Sequence, residues 1–203
     1  MVDLRQRRCW VFDMDGTLTL GIHDFEAIRA ELALPVGEPI LESLAKLEQI
    51  DPAEAAAKHR RLDEIELEVA RKSSAQAGAG DLLEWLRSHH IPIGILTRNS
   101  KPVAYETLKA CDLLDFFKSD HILSRDCCPP KPQPDGIFKL LDEWQKQPAE
   151  AVMVGDYRFD LEAGRNAGTA TVYIDPTGQF PWQTQADHSV IDFHTVLGWL
   201  QAG

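Results

Sequence analysis

The sequence predicts an α/β protein: a parallel β-sheet covered by helices, with a small α-helical cap inserted after the first strand. Short apolar runs alternate with segments of helical period along most of the chain, which is typical of this class. The length of 203 residues suits one medium domain with a modest insertion. One stretch, residues 24–77, shows helical periods and no strand pattern, and this identifies the insertion.

The strand candidates are six short, mostly apolar runs, as expected for strands buried on both faces of a parallel sheet. They cover residues 9–12, 91–96, 121–123, 151–154, 171–174 and 189–191. Four of these runs lead into polar residues at or just beyond their carboxyl ends, namely Asp13, Thr97, Ser124 and the pair Gly155-Asp156. Ligands of open α/β sheets bind at that edge, so the sequence places the functional site there.

Helices that cover the sheet are predicted at residues 81–88, 134–147 and 160–167, and a last apolar segment at 196–200 packs the carboxyl terminus on the body. The clearest pattern lies in 134–147, where apolar side chains recur at i, i+3, i+4 and i+7 from Ile137. Gly168 suits the left-handed residue that commonly ends a helix.

The insertion is predicted to contain three helices. Pro35 and Gly37 separate the first two, and Asp51-Pro52 begins the third. The run from Ala77 to Gly80 is expected to form a flexible joint. We therefore assign residues 1–20 and 79–203 to an α/β core domain and residues 21–78 to a helical cap. The alternative is a set of extra helices packed permanently on the sheet.

Composition excludes several classes of protein. A formal net charge of -11 disfavours binding to nucleic acid or to an anionic membrane surface. The four cysteines are too few for a disulfide scaffold, and no run approaches the roughly 20 apolar residues that span a bilayer. The start of the chain lacks the apolar segment of a signal peptide. These features predict a cytoplasmic protein, and we expect a monomer or weak dimer.

The segment Asp13-Met14-Asp15-Gly16-Thr17 places two carboxylates where the first strand leaves the sheet. One carboxylate can attack phosphorus as a covalent nucleophile, while a second protonates the leaving oxygen and later activates water. Because two nearby carboxylates repel each other, a divalent cation is expected between them, and Mg²⁺ prefers such oxygen ligands. Gly16 would let backbone N–H groups approach a phosphate. Taken alone, the segment is also compatible with an acidic turn.

Three further strand ends, or the loops that follow them, supply what the same chemistry needs. Thr97-Arg98-Asn99 brings a hydroxyl, a guanidinium and an amide to the edge, where they are candidates for phosphate binding. Lys131 lies among prolines that stiffen the backbone, and its ammonium can neutralise charge on a phosphoryl group. Asp156 is a candidate metal ligand, and Asp160 is expected to orient Lys131 or a metal-bound water. Each residue alone also has an ordinary structural explanation, such as a helix cap.

This ordered set resembles the haloacid dehalogenase superfamily of phosphohydrolases, across nearly the whole chain. Its motifs correspond to residues 13–17, Thr97, Lys131 and residues 155–160. The resemblance implies a Rossmann-like core in which Asp13 is the nucleophile and Asp15 the general acid and base. It also implies that Mg²⁺ is held by Asp13, Asp156 and the backbone carbonyl of Asp15. The position of the insertion is similar to that in the phosphoglycolate phosphatase and β-phosphoglucomutase branch.

The resemblance therefore implies a Mg²⁺-dependent phosphatase that acts on a small phosphorylated metabolite. Many members of the branch follow the first motif with Asp-Ser, whereas this chain reads Leu18-Thr19-Leu20. Substrate selection is expected to differ accordingly, and His23 and Asp24 are candidates for it, with a hinge or helix start as the alternative. Two other functions stay open: a phosphomutase that uses the same groups, and a non-catalytic phosphate-binding regulator.

Overall fold

The computed structural model describes residues 2–202, and within them one parallel sheet of six strands forms the centre. The strands are β1 (Cys9–Phe12), β2 (Ile93–Leu96), β3 (Ile122–Leu123), β4 (Ala151–Gly155), β5 (Ala170–Ile174) and β6 (His188–Val190). Their order is β3-β2-β1-β4-β5-β6, and every neighbouring pair is parallel. The order reverses at β1, so a crevice opens at the carboxyl ends of β1, β2 and β4.

Helices cover both faces of this sheet. In chain order, the helices of the described residues are α1 (Phe25–Glu31), α2 (Ile40–Glu48), α3 (Pro52–Ala70), α4 (Ala79–Ser88), α5 (Lys101–Ala110), α6 (Asp135–Trp144), α7 (Arg158–Ala167) and α8 (Phe193–Gln201). The helices that share apolar clusters with the sheet are α4 to α8. Alternate side chains of β1 point to opposite faces. Trp10 and Phe12 share an apolar cluster with α4, α5 and α8, while Cys9 and Val11 share one with α6 and α7. The predicted α/β class is confirmed.

The inserted helices α1, α2 and α3 have an apolar cluster of their own. Ile28 of α1 and Leu32, which directly follows α1, meet Leu44 of α2 and Leu62 of α3, and all four are buried. Asp51 starts α3 as predicted, because its side chain accepts hydrogen bonds from the first turn, and Pro52 follows it. The predicted helical insertion after the first strand is therefore present.

The two segments that join the insertion to the sheet lie side by side. The Leu20 N–H donates to the Ser74 carbonyl at 3.0 Å, and the Gln76 N–H donates to the Leu18 carbonyl at 2.8 Å. The expectation that residues 24–77 are helical to their end is wrong for residues 73–77, because that segment pairs with residues 18–20 instead. The expected joint is also shorter, since Ala79 and Gly80 already belong to α4.

Several predicted boundaries shift for local reasons. The predicted strand 91–96 begins only at Ile93, after Pro92, which has no N–H for a ladder. The predicted helix 134–147 ends at Trp144, because Gln145 takes a left-handed conformation with φ +52°. Gly168 ends α7 with φ +81°, as predicted.

Helix α5 was not anticipated at all. Its sequence Lys101–Ala110 has a weak apolar period, with Val103, Ala104, Thr107 and Leu108 as the buried positions. Within residues 2–202, no helix is long and apolar enough to cross a membrane.

Candidate active site

The predicted residues converge at the carboxyl edge of the sheet, where a cavity of about 430 Å³ lies between the strand ends and the inserted helices. Asp13 and Asp15 follow β1, Thr97 and Asn99 follow β2, and Asp156 follows β4. All five line the cavity together with Lys131 and Asp160. Parallel strands end at one edge, which is why residues far apart in sequence meet here.

The buried Lys131 ammonium connects two carboxylates. It donates to Asp13 Oδ1 and lies 2.7 Å from Asp160 Oδ1. The other oxygen of Asp160 accepts the Tyr157 N–H at 3.0 Å, which fixes its carboxylate at the start of α7. Burial alone would lower the pKa of Lys131, but the charges of Asp13 and Asp160 outweigh it and the pKa is raised. Lys131 is therefore a fixed positive charge beside Asp13.

Asp13 and Asp156 are brought together by Thr17. The Thr17 hydroxyl lies 3.1 Å from Asp156 Oδ1 and 3.4 Å from Asp13 Oδ2. One oxygen each of Asp13, Asp156 and Asp160 falls within 4.8 Å of the others, as in a metal site. Burial, followed by the charges of Asp13 and Asp160, raises the pKa of Asp156 well above its ordinary value. The three carboxyl groups lie around a single ammonium, that of Lys131. When they are ionised, the cluster has an excess of negative charge that suits a divalent cation.

Asp15 occupies a different environment from Asp13. Its Oδ2 accepts a hydrogen bond of 2.6 Å from the Asn99 side chain, while its buried Oδ1 has no hydrogen-bond partner within residues 2–202. Burial, with smaller contributions from Asp13 and Glu66, raises the pKa of Asp15 to about 7. The group therefore changes protonation near neutral pH, as general acid and base chemistry requires.

Close packing makes glycine necessary at two positions in the cluster. Gly16 has φ +82°, and a Cβ there would lie 2.2 Å from Asp156 Oδ2. A Cβ on Gly155 would lie 2.1 Å from the Cβ of Asp160. Backbone therefore approaches both carboxylates more closely than any other residue type would allow.

Three residues with predicted roles in phosphate binding or substrate selection, Arg98, His23 and Asp24, make other contacts in the structure. The Arg98 guanidinium donates to Glu42 and to the Lys131 carbonyl, so the phosphate-binding role predicted for it has no support in these contacts. The His23 ring is almost fully enclosed and stacks on Phe25, and its Nδ1 lies 3.9 Å from Asp15 Oδ1. Asp24 caps α1 by accepting the Ala27 N–H. The structure thus shows the helix start that was the alternative to a role in substrate selection.

Comparison with known proteins gives a consistent result. The family model described as haloacid dehalogenase-like hydrolase matches residues 10–174. This chain belongs to that family. It is 32% identical to an uncharacterized hydrolase of Saccharomyces cerevisiae, over 84% of this chain and 78% of the relative. It is 26% identical to a phosphoglycolate phosphatase of Pseudomonas savastanoi, over 81% of this chain and 68% of the relative.

A solved haloacid dehalogenase-like hydrolase of Streptococcus pneumoniae shares the fold. It superposes with a TM-score of 0.72 at 26% identity, over 97% of this chain and 99% of that protein. The resemblance inferred from the four motifs is thus confirmed, and the chain is an enzyme, a haloacid dehalogenase-like phosphohydrolase.

Sequence reasoning missed a group of ion pairs between the inserted helices and the sheet edge. Arg125, just after β3, binds Glu66 at 3.0 Å and Asp63 at 2.6 Å, both on α3. Glu66 is buried and lines the cavity. A signal existed, because Leu62, Glu66 and Ala70 recur every four residues on one face of α3, so an acid interrupts an apolar stripe. Such an acid has to find a partner when the stripe is buried.

The carboxylate cluster predicts how the stability of this haloacid dehalogenase-like enzyme depends on pH. Burial is the first cause of the raised pKa values of Asp15 and Glu66, both about 7, and of Asp160, about 6. The folded state thus holds more protons than the unfolded state. The free energy of unfolding therefore falls as the pH rises through these pKa values. In EDTA, we expect the free energy of unfolding to fall by about 1 kcal/mol or more between about pH 5 and about pH 7.5.

Denaturant titrations across this pH range, with native protein and Asp156→Asn, check the expectation. The variant lacks one of the buried acids and should show a shallower fall. A divalent cation should stabilise the native protein most at the upper end of the range, because the carboxylates are then ionised. Equal slopes for native protein and variant would contradict the electrostatic explanation.

Proposed function

We propose that this chain is a Mg²⁺-dependent phosphatase that hydrolyses a small phosphate monoester through an aspartyl-phosphate on Asp13. The observation that carries the proposal is the pairing of two unlike carboxylates after β1. Asp13 contacts the ammonium of Lys131, whereas Asp15 accepts one hydrogen bond from Asn99 and has a raised pKa of about 7, caused first by burial of its carboxyl group. One group suits nucleophilic attack, and the other suits proton transfer.

In the first step, a carboxylate oxygen of Asp13 attacks phosphorus as the bond to the ester oxygen breaks. Asp15 gives its proton to that oxygen, so the organic part leaves as an alcohol. In the second step, Asp15 takes a proton from water, the water oxygen attacks phosphorus, and the bond to Asp13 breaks. Phosphate is released, and both aspartates return to their starting states.

The groups around Asp13 are placed to hold the transferred phosphoryl group. Lys131 supplies positive charge, and Thr97 and Asn99 add polar groups at the end of β2. The backbone at Gly16 has no side chain to keep a phosphate away. Donors fixed in advance in a buried site stabilise developing negative charge better than mobile water does.

The proposed Mg²⁺ ligands are Asp13, Asp156 and the backbone carbonyl of Asp15. Asp160 adjoins them but contacts Lys131, and we assign it to orienting that ammonium. When bound, the cation would neutralise carboxylates and polarise a phosphoryl oxygen. The raised pKa of Asp156, caused first by burial, supports a site that needs an additional positive charge.

We further propose that residues 21–78 act as a cap over a core of residues 1–20 and 79–203. Support comes from the separate apolar cluster of the inserted helices and from the cavity between them and the sheet edge. Such a cap would keep bulk water from the aspartyl-phosphate. A cytoplasmic location and a monomer or weak dimer belong to the same proposal. The four free cysteines support that location.

The test is phosphate release from a panel of small monoesters, including p-nitrophenyl phosphate, with Mg²⁺ and with EDTA. We expect release that requires Mg²⁺. An isomerised sugar phosphate without free phosphate would instead indicate a mutase. A folded protein that binds Mg²⁺ and phosphate but releases nothing would indicate a regulator.

Gly16→Ala is expected to weaken the metal site specifically, because the new Cβ collides with Asp156 Oδ2. Gly37→Ala is the matched control: Gly37 has a similar φ of +75°, but a Cβ there meets nothing within 4 Å. Both changes should cost about 1 kcal/mol of stability from backbone strain. Only Gly16→Ala should raise the Mg²⁺ concentration needed for half-maximal activity, by about tenfold or more. An equal Mg²⁺ requirement in both variants would argue against Asp156 as a ligand.

A further inference from the structure

The cations that line the cavity, within residues 2–202, are Arg29, Arg98 and Lys131. Lys131 belongs to the catalytic cluster through Asp13 and Asp160. Arg29 and Arg98 are therefore the groups that could recognise a second negative charge on a substrate. Their existing contacts decide whether they are free to do so.

Arg98 is already bound on the side of the inserted helices. Its Nη2 donates to both carboxylate oxygens of Glu42, at 2.6 and 2.8 Å, and its Nη1 donates to the Lys131 carbonyl at 2.5 Å. The central carbon of the guanidinium lies over the Phe159 ring, 4.8 Å from its centre. An incoming carboxylate would have to compete with Glu42 for the positive charge of this guanidinium.

Arg29 is bound in the same way. Its Nε and Nη2 donate to Glu26 at 3.3 and 2.5 Å, and its Nη1 donates to the Glu38 carbonyl at 3.3 Å. All three guanidinium nitrogens therefore have acceptors that belong to the protein. Glu26 itself lines the cavity and would repel a negative group that approached Arg29.

The remaining wall of the inserted helices is mainly apolar. Phe25, Ile40, Leu41 and Leu62 face the cavity there. Glu66, the further acid on this wall, is paired with Arg125. A substrate thus meets hydrocarbon, aromatic rings and neutralised ion pairs beyond the phosphoryl site.

We propose that this cavity selects phosphate monoesters whose alcohol part is uncharged and largely apolar, and discriminates against monoesters that carry a second anionic group. The proposal rests on the phosphatase function proposed above and names its substrate class. It predicts that this chain differs in substrate preference from its relative named phosphoglycolate phosphatase, since phosphoglycolate carries a carboxylate. The physical reason is that a substrate carboxylate in this cavity would lose its hydrating water without gaining a free cationic partner.

Matched esters test the proposal in the native protein. Butyl phosphate and 3-carboxypropyl phosphate differ only at the end of the chain, which is a methyl group in the first and a carboxylate in the second. Ethyl phosphate and phosphoglycolate repeat the comparison on a shorter chain. With Mg²⁺, we expect kcat/KM to be at least about tenfold higher for the neutral member of each pair. A carboxylated ester hydrolysed as well as its neutral partner, or better, would overturn the inference and leave the phosphatase proposal intact. Release from none of the esters, nor from p-nitrophenyl phosphate, would overturn both.

Two variants test whether the ion pairs are the cause. Glu42→Gln and Glu26→Gln each remove the carboxylate that neutralises one arginine. Each should raise the kcat/KM ratio of carboxylated to neutral ester by about three- to tenfold. Glu64→Gln removes a carboxylate that pairs with Arg61 on the exposed side of α3, and its ratio should equal that of the native protein. Native ratios in both Glu42→Gln and Glu26→Gln would overturn the assignment of selectivity to these pairs.

Discussion

Asp13→Asn is expected to lower kcat for phosphate monoesters by at least about a thousandfold, because an amide cannot attack phosphorus as a carboxylate does. The fold should persist. Asparagine has nearly the same shape, and the backbone N–H of this residue keeps its 2.9 Å bond to the Val154 carbonyl of β4. Steady-state kinetics with p-nitrophenyl phosphate and Mg²⁺, beside thermal unfolding, measure both quantities.

Asp192→Asn is the matched control for this chemical change. Asp192 caps α8 by accepting the Thr195 N–H at 2.9 Å, and asparagine caps helices equally well. Its activity should equal that of the native protein. If Asp13→Asn kept more than about a tenth of native kcat, the covalent mechanism would be wrong.

Asp15→Asn should lower kcat by about a hundred- to ten-thousandfold, the usual cost of removing general acid and base catalysis. The two steps should respond differently. p-Nitrophenolate leaves without a proton, so the first step survives with p-nitrophenyl phosphate, while the second step lacks its base. We therefore expect a burst of p-nitrophenolate stoichiometric with enzyme, followed by slow turnover, and no burst with alkyl phosphates.

Rapid mixing with the two kinds of substrate measures this difference. A non-catalytic regulator would bind phosphate with or without Asp15 and show no turnover in either protein. Equal losses for both substrates, with no burst, would show that Asp15 does not act as the proposed acid and base.

The sequence predicted the fold class and the convergence of the site, since both follow from local patterns and one rule of topology. Apolar runs placed β1, β2 and β4, and the residues after them meet because parallel strands share a carboxyl edge. Asp13, Thr97 and Asp156 could be placed together in this way.

The contacts of Arg98 and Arg125 could not be predicted in the same way. Each arginine follows a strand of the sheet, but its partners Glu42 and Glu66 lie on inserted helices. Which helix faces an arginine depends on how the insertion packs, and no local period encodes that. Thr17 was part of the quoted motif, but its position between Asp13 and Asp156 emerged only in three dimensions.

The most direct test of the covalent mechanism is to trap the intermediate on Asp13. The Mg²⁺-loaded native enzyme is mixed with a phosphate monoester, quenched during turnover and reduced with borohydride, which converts an aspartyl-phosphate to homoserine. Mass spectrometry of the peptide that contains Asp13 and Asp15 then locates the change. The mechanism predicts homoserine at position 13, dependent on substrate and Mg²⁺. Unmodified Asp13 in Asp15→Asn quenched just after its p-nitrophenolate burst, or modification at Asp15 in the native enzyme, would contradict it.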